Sequence, residues 1–381
     1  MQSIYSPEIV TLEAAVAVPT SGRGTGDGDG PPEFDGGVYA ADGTVCDLAR
    51  HRYDGGSSNV PAASPPAATE RLAGTHLFGG VLRAHFGHFL LEGIGRLWAA
   101  EEAGPIASVL YLPYFGPQVA RAGGAERFEV PRYANDIVAA LGIAAPIAVV
   151  RRPVRVERLV VPSQLLMQSH GPAIGGHARF RDFAHRARRG EPRRDGAGSR
   201  LYVSRSKLPA DSGGLLLETA IEENLRRCGY AVIHPETMTI EAQLAAYSAA
   251  STLIFAEGSA LHLFALVARA EQTVGILYRR PSKVRALGLQ VAAFGGGTVA
   301  AFDCIRGYVT LTTPGRRNIA RQIGQSIFDF AELERRLRAE GFVHGAPWAL
   351  PGEAEVRAAV DRQIARFKEA RPRGDFGVVA A

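Results

Sequence analysis

Two parts of this chain carry side chains that can perform chemistry. Within each part the spacing of these side chains can place them close to one another. The first is HFGHFLLEGIGRLW, residues 85–98. If this segment is helical, its polar residues form one stripe and its apolar residues the opposite side, because successive residues lie about 100° apart. A histidine or carboxylate on such a stripe can draw a proton from a hydroxyl nucleophile. We therefore predict His88 and Glu92 as catalytic groups, with His85 and Arg96 beside them where the hydroxyl binds.

Two other interpretations of this stripe stay open. It can be an exposed polar face without a role, since the apolar side alone would anchor the helix. It can also bind a metal ion, because His-x-x-His-x-x-x-Glu places three donors on one helix face. That spacing differs from the familiar helical zinc motifs and the sequence holds no further ligand motif, so we predict no metal site.

The second part combines LYVSRSK, residues 201–207, with TLIFAEGSALHLFALVA, residues 252–268. Both begin as buried strands. The later one breaks at residues 257–259 and restarts as a helix, which places backbone N–H groups and the positive end of a helix dipole at the carboxyl end of a strand. Open α/β sheets bind phosphates at this edge. Arg205 and Lys207 can meet the same anion, so we predict a diphosphate site and a nucleotide-activated substrate.

Each of these residues also has a plainer interpretation. Isolated Arg and Lys residues mostly lie on protein surfaces, and Ser259 can serve only as a helix cap. Gly258, in contrast, permits a close approach of the backbone to a ligand. Glu257 and His262 lie in an otherwise apolar stretch, where they are costly unless they are paired or used. We therefore predict that this turn is functional and that Glu257, Gly258, Ser259 and His262 contact the phosphates of the donor.

The elements that must position these segments alternate between strand and helix. This alternation predicts an α/β fold with mostly parallel sheets, in two Rossmann-like domains that face a cleft. We divide the chain into an irregular N-terminal segment with short strands (1–73), an α/β domain (74–165), a second Rossmann-like domain (166–340) and a C-terminal helix and tail (341–381). We expect the C-terminal helices to pack back on the first domain, and the Arg-rich stretch 177–200 to form a solvated helix and loop.

Composition excludes several classes of protein. The chain has 381 residues, a formal charge of +5, 46% hydrophobic and 21% charged residues, which is typical of a slightly basic globular protein and gives no sign of nucleic-acid binding. Its three cysteines form no CxxC pair, so we expect the protein to act in a reducing cytoplasm. No apolar run approaches the roughly 20 residues that span a bilayer, so any association with a membrane would be peripheral. No GxGxxG after a strand, P-loop or GxSxG occurs, which argues against dehydrogenase, NTPase and serine hydrolase activities. Asp27-Gly28-Asp29 matches an Asp-x-Asp metal–diphosphate pattern, but it lies in a glycine-rich stretch and we attribute it to chance.

Several motifs, taken in order, resemble one known family. HFGHFLLEGIGRLW is similar to the signature of a histidine, an apolar run, an acid and Arg-Leu near the start of glycosyltransferase family 61 domains. YVSRSK and the later CGYAVIHPETMTIEAQLAAYSAASTLIFAEGSALHLF resemble the C-terminal half of that family. The resemblance covers about residues 75–280, and the order of the motifs is more specific than any one of them.

The resemblance implies a two-domain enzyme of the GT-B type that transfers a sugar from a nucleotide donor with inversion. Bacterial relatives act in capsular polysaccharide biosynthesis. It implies a nucleotide-sugar donor, with a UDP-sugar preferred, a glycan or lipid-linked acceptor and no obligatory cofactor. By the same resemblance, Arg205 and the Gly258–Ser259 turn would contact the diphosphate of the donor, and the helix with His88 and Glu92 would border the acceptor.

The chain departs from the family in two places. It has LPADSGGLLL at residues 208–217, where many members carry Arg and an Asn-Glu pair, and Leu263 where Asn is frequent. These departures favour a non-catalytic protein that binds a nucleotide sugar or glycan as one alternative. The other alternative is a metal-dependent hydrolase that uses His85, His88 and Glu92 and would lose activity with a chelator.

Overall fold

The computed structural model describes residues 6–20, 34–53, 56–57, 59–114, 124–188, 199–209, 212–280, 285–295, 297–313 and 322–380, and the Asp-x-Asp at residues 27–29 lies outside them. The chain divides into two compact units, Met1–Gly190 and Glu191–Ala381, whereas from the sequence we placed the boundary after residue 165. Among the described helices, none combines the length and the apolar character that crossing a bilayer requires.

The first unit contains one six-stranded mixed sheet and a separate pair of short strands. Its strands are β1 (Ile9–Val18), β2 (Gly37–Tyr39), β3 (Arg52–Tyr53), β4 (Gly56–Ser57), β5 (Glu70–Arg83), β6 (Ser108–Tyr114), β7 (Ile147–Val149) and β8 (Val154–Pro162), and its helices are α1 (Arg132–Ala140) and α2 (Ala178–Ala187). The strand order is β2-β1-β8-β5-β6-β7, while β3 pairs with β4 separately. Strands β5 to β8 pair in parallel, as the alternating pattern predicts.

Strand β1 corrects the expectation of an irregular N-terminal segment. It runs antiparallel to β8, from Ile9 opposite Pro162 to Ala17 opposite Val154. Its residues Ala15 and Ala17 join a core cluster with Phe78 of β5, so the segment completes the sheet. We did not predict this ten-residue strand because the Gly-rich stretch that follows it made the whole segment look irregular.

The segment at residues 85–99 is also less regular than the predicted helix. It forms a short α-helical turn (Phe86–His88), a π-helical turn (Phe89–Gly93) and a 3-10 turn (Leu97–Ala99). Because these turns differ in pitch, the polar stripe does not stay on one outer face. Glu92 and Arg96 are each only 1% exposed, so the prediction that their side of the helix faces solvent or a cleft is wrong.

Arg96 connects three parts of the first unit. Its guanidinium donates hydrogen bonds to the carbonyl oxygens of Leu48 (2.8 Å), Arg50 (2.7 Å) and Pro162, and it lies 5.3 Å from the ring centre of Phe78. Burial lowers the pKa of Arg96 to about 9, which leaves it charged at neutral pH. Arg96 therefore holds the N-terminal segment against the end of β8 and has no surface left for a ligand.

The second unit contains the parallel sheet that the sequence predicts. Its elements are β9 (Arg200–Val203), β10 (Gly214–Leu215), α3 (Glu218–Arg227), β11 (Tyr230–Ile233), α4 (Ile240–Ala249), β12 (Thr252–Ala256), α5 (Ala260–Ala265), β13 (Thr273–Leu277), α6 (Ala286–Gly295), β14 (Val299–Phe302), β15 (Ile305–Leu311), β16 (Gln325–Phe328), α7 (Phe330–Ala339), α8 (Glu353–Ala370) and β17 (Phe376–Ala380). Strands β11-β9-β12-β13-β14 pair in parallel throughout. Parallel strands place their carboxyl ends at one edge, where open sheets bind ligands.

A small sheet, β10-β16-β15-β17, accompanies the parallel one and was not predicted. Helix α8 packs on it through Ala359 and Phe367, which share a core cluster with Val309. Helix α7 packs on the parallel sheet through Leu333 and other apolar residues. We expected these helices to cover the first domain, whereas their cores in the structure belong to the second unit. In helix α2 of the Arg-rich stretch, Phe180 and Phe183 are buried, so this helix is not wholly solvated.

Replacing Arg96 with Met tests its role in joining the first unit. We expect the free energy of unfolding to fall by at least about 3 kcal/mol, because three buried carbonyls lose a charged donor. The measurement is urea denaturation followed by the fluorescence of Trp98, in a background where Trp348 is replaced by Phe. Arg158→Met is the matched control, since Arg158 pairs with Glu13 on the exposed surface and its loss should cost less than about 1 kcal/mol. Equal losses in the two variants would contradict this role.

Candidate functional site

Glu92 is the centre of a buried polar cluster in the first unit. Its Oε1 lies 2.8 Å from Nδ1 of His88, and its Oε2 lies 3.4 Å from Nε2 of His51 and 3.5 Å from Nη1 of Arg83. The side chain of Glu92 is 1% exposed, while that of His88 is 24% exposed. Solvent therefore reaches the cluster at His88 and not at the carboxylate.

Glu92 fixes the orientation of the His88 ring. Burial alone raises the pKa of Glu92, but its interactions with His51 and His88 outweigh burial, so this pKa lies below its usual value. An ionised carboxylate only accepts hydrogen bonds, so Nδ1 of His88 carries the proton that points to Oε1. In the neutral imidazole the other ring nitrogen, Nε2, has a lone pair that can accept a proton.

His85 and Tyr114 complete the surroundings of these groups. The ring of His85 lies 4.9 Å from that of His88, and its Nδ1 accepts the backbone N–H of His88 at 3.4 Å. Burial, together with the nearby charges of His88 and Arg83, lowers the pKa of His85, which favours its neutral form. Arg83 lies over the ring of Tyr114, 4.6 Å from its centre, while it faces Glu92.

We did not predict His51 from the sequence. It lies just before β3, is 5% exposed, and its backbone N–H donates to Oδ1 of Asn59 at 2.8 Å. No motif surrounds it, and only the folding of the N-terminal segment against residues 85–99 reveals its position. Among the described residues, no group of three or more His, Cys, Asp and Glu side chains is arranged to hold a metal ion.

A second cluster lies at the carboxyl edge of the parallel sheet in the second unit. Strand β12 lies between β9 and β13. The residues that follow these three strands therefore lie side by side, and they include Arg205 after β9, Glu257 and Gly258 after β12, and Arg279 and Arg280 after β13.

Arg205 lies against Gly258 of the 257–259 turn. A Cβ atom at Gly258 would collide with Nη1 of Arg205 and lie 3.2 Å from its Cζ. Nη2 of Arg205 donates to the carbonyls of Ser212 (2.9 Å) and Gly213 (3.0 Å), and its backbone N–H donates to Oε1 of Glu218 (2.8 Å). The glycine thus leaves room for the guanidinium of Arg205 in this position, whereas we predicted it for close approach to a ligand.

Both carboxylate oxygens of Glu257 accept hydrogen bonds from two arginines that we did not predict from the sequence. Its Oε1 accepts hydrogen bonds from Nε (2.8 Å) and Nη2 (2.5 Å) of Arg280. Its Oε2 accepts hydrogen bonds from the backbone N–H groups of Arg279 (2.9 Å) and Arg280 (3.1 Å). Arg279 returns a hydrogen bond from Nε to the carbonyl of Glu257 at 3.0 Å. The signal for these arginines was present, because TVGILYRR ends in basic residues as LYVSRSK does.

The other predicted residues of this turn contribute less. Lys207 is exposed in the turn after β9, and no contact within the described part of the chain joins it to residues 257–259. Ser259 is the N-cap residue of α5 but its side chain makes no capping hydrogen bond. Helix α5 has six residues, so its dipole is small. His262 is paired, with Nδ1 2.5 Å from Oε1 of Gln290, and Leu263 is fully buried in the core.

Glu92→Gln removes the charge that His51, Arg83 and His88 surround. Because folding lowers the pKa of Glu92, the ionised carboxylate stabilises the protein above the unfolded pKa of about 4.5, and this contribution is lost as the pH falls below that value. We expect the variant to be about 3 kcal/mol less stable than wild type at about pH 7, with a smaller difference at about pH 4. Urea denaturation at both pH values measures this. The exposed control Glu13→Gln should show little loss at either pH, and a constant difference for Glu92→Gln would contradict the assignment.

The comparison with known protein families agrees with the motifs. A family model described as Glycosyltransferase 61 matches residues 86–274, which include His88, Glu92, Arg205 and Gly258. His51, Arg279 and Arg280 lie outside the matched residues. No curated protein matches the chain. Over these residues the chain is similar to glycosyltransferase family 61.

Proposed function

We propose that the protein is an inverting glycosyltransferase that transfers a sugar from a nucleotide-sugar donor to a hydroxyl group of a glycan or lipid-linked acceptor. The observation that carries this proposal is the pair of His88 and Glu92, in which a buried carboxylate holds a partly exposed imidazole with one nitrogen free. A hydroxyl is a weak nucleophile, and such a pair is suited to remove its proton. The donor side is supplied by Arg205 at the edge of the parallel sheet.

The reaction is a single displacement. The hydroxyl proton passes to Nε2 of His88 while the oxygen forms a bond to the anomeric carbon of the sugar. The bond from that carbon to the diphosphate oxygen breaks, and its electron pair leaves with the diphosphate. Glu92 stabilises the imidazolium that results, and the guanidinium of Arg205 stabilises the charge that develops on the leaving group.

The burial of the two groups decides which of them acts as the base. Glu92 is inaccessible, and its lowered pKa makes its carboxylate a poor proton acceptor at neutral pH. His88 is 24% exposed, and it faces Glu92 with Nδ1 and not with Nε2. We therefore assign proton abstraction to His88 and orientation of its ring to Glu92.

The nature of the donor follows from the cationic edge of the second unit. Guanidinium groups match the geometry of phosphate oxygens, so a nucleoside diphosphate is the leaving group that this edge suits, and a UDP-sugar is our first choice. In this proposal the arginines neutralise the diphosphate, so that no metal is obligatory. We place the reaction in the cytoplasm, near a membrane that carries the acceptor, in the assembly of a surface polysaccharide.

His88→Ala should lower the rate of transfer by about a hundredfold or more while leaving donor affinity unchanged, because the variant loses only the base. A thermal-shift screen against nucleotide sugars first identifies a donor, and release of the nucleoside diphosphate in the presence of acceptor then measures turnover. His170→Ala is the control, since His170 is an exposed histidine outside the Glu92 cluster, and it should retain most of the activity. Unchanged turnover in His88→Ala would refute the assignment, and donor binding without any turnover in wild type would favour a binding protein instead.

Arg205→Ala should weaken donor affinity by about tenfold or more, since a charge-assisted hydrogen bond to phosphate contributes at least about 1.5 kcal/mol. Lys207→Ala is the matched control from the same turn, and we expect it to bind the donor as wild type does. Isothermal titration with the identified donor gives both affinities, and circular dichroism verifies that each variant is folded. Equal affinities in the two variants would remove Arg205 from the donor site.

A further inference from the structure

The order of strands in the second unit places a further arginine beside the proposed donor site. Because β9, β12 and β13 are neighbours and parallel, the residues after them share one edge of the sheet. Arg205 follows the first of these strands, Glu257 the second and Arg280 the third. Glu257 therefore lies between two arginines, of which only Arg205 was anticipated.

Glu257 fixes the orientation of Arg280. Two nitrogens of Arg280, Nε and Nη2, donate to the same carboxylate oxygen, and the backbone N–H of Arg280 donates to the other. The side chain of Arg280 is 39% exposed, whereas that of Glu257 is 5% exposed. Within the described residues no contact uses Nη1 of Arg280. One side of the guanidinium is thus held by the protein, and the other side is accessible.

Three guanidinium groups, those of Arg205, Arg279 and Arg280, lie close together at this edge. Their charges meet the carboxylates of Glu257 and Glu218 and, at Arg205, that of Glu236. Burial raises the pKa of Glu218, and its Oε1 accepts hydrogen bonds from Tyr202 and from the backbone N–H of Arg205. Burial and the charges of Arg280 and Arg205 lower the pKa of Arg279 to about 9, so the three cations destabilise one another.

Two donors at this edge have no hydrogen-bond partner among the described atoms, although both are buried. They are Nε of Arg205 and Nη1 of Arg279. Arg279 is only 6% exposed, so it adds positive potential from below the surface and does not meet a ligand itself. A dianion above the edge would offset the repulsion that the three cations exert on one another.

We propose that Arg280 and Arg205 together bind the two phosphoryl groups of the nucleotide-sugar donor, and that Glu257 is a positioning residue that holds Arg280 in place. This inference rests on the proposed function. It changes the role of Glu257, which the sequence placed in contact with the donor. It also replaces the dipole of the short helix α5 with a second guanidinium as the source of positive charge.

The test uses inorganic pyrophosphate and UDP as probes in isothermal titration calorimetry with the full chain. Arg280→Ala should weaken the binding of both probes by about tenfold or more, and Arg280→Lys should recover part of the loss. Glu257→Gln should weaken binding less than Arg280→Ala, because the arginine remains but is no longer held. Arg338→Ala is the matched control, since Arg338 is also a partly exposed arginine paired with a carboxylate, that of Glu334, and this variant should bind both probes within about twofold of wild type.

Loss of Arg280 alone leaves the buried charge of Glu257 unpaired and can unfold the turn. The double variant Glu257→Gln, Arg280→Gln avoids this because it removes both charges, and it should lose probe affinity while retaining the melting temperature of wild type within a few degrees. A purely structural ion pair predicts wild-type probe affinity in this double variant, and that result would overturn the inference.

Turnover separates this inference from the proposed function. If wild type transfers sugar and Arg280→Ala keeps wild-type affinity for pyrophosphate and UDP, the role of Arg280 is refuted and the transferase function stands. If binding of the probes depends on Arg280 but no sugar is transferred from any donor, the diphosphate site is supported and the transfer reaction is refuted.

Discussion

A carboxylate that leaves water must find cations or hydrogen-bond donors, and this requirement organises both clusters of the protein. Glu92 meets it with His88, His51 and Arg83, and Glu257 meets it with Arg280 and two backbone N–H groups. In each case the carboxylate is inaccessible and its partner is partly exposed. The buried charge therefore fixes the position of a group that can meet a substrate, and the chemistry takes place at the partner.

Local backbone features accompany both clusters. Glu92 lies in the π-helical turn at Phe89–Gly93, where it is buried and contacts His88. The absence of a side chain at Gly258 leaves room for the guanidinium of Arg205. Single π-helical turns are frequent at functional sites.

The two clusters also depend on segments outside the residues that match the glycosyltransferase 61 model. His51 lies beside Glu92, and Arg96 holds the neighbouring carbonyls of Leu48 and Arg50. Arg279 and Arg280 lie beyond the end of the match, at the carboxyl end of β13. The matched residues thus supply the base and one donor arginine, and their surroundings supply the charges that orient both.

The sequence by itself determined the alternation of strands and helices, the strand that ends at Arg205 and the break after Glu257, because these depend on the periodicity and turn propensity of neighbouring residues. It also placed Arg205 and Gly258 at one sheet edge, since both follow predicted parallel strands. It could not show the burial of Glu92 and Arg96, the approach of His51 or the pairing of Glu257 with Arg280. Those were decided by the tertiary structure, because burial and ion pairing depend on contacts between residues far apart in the chain, which override the local helical periodicity.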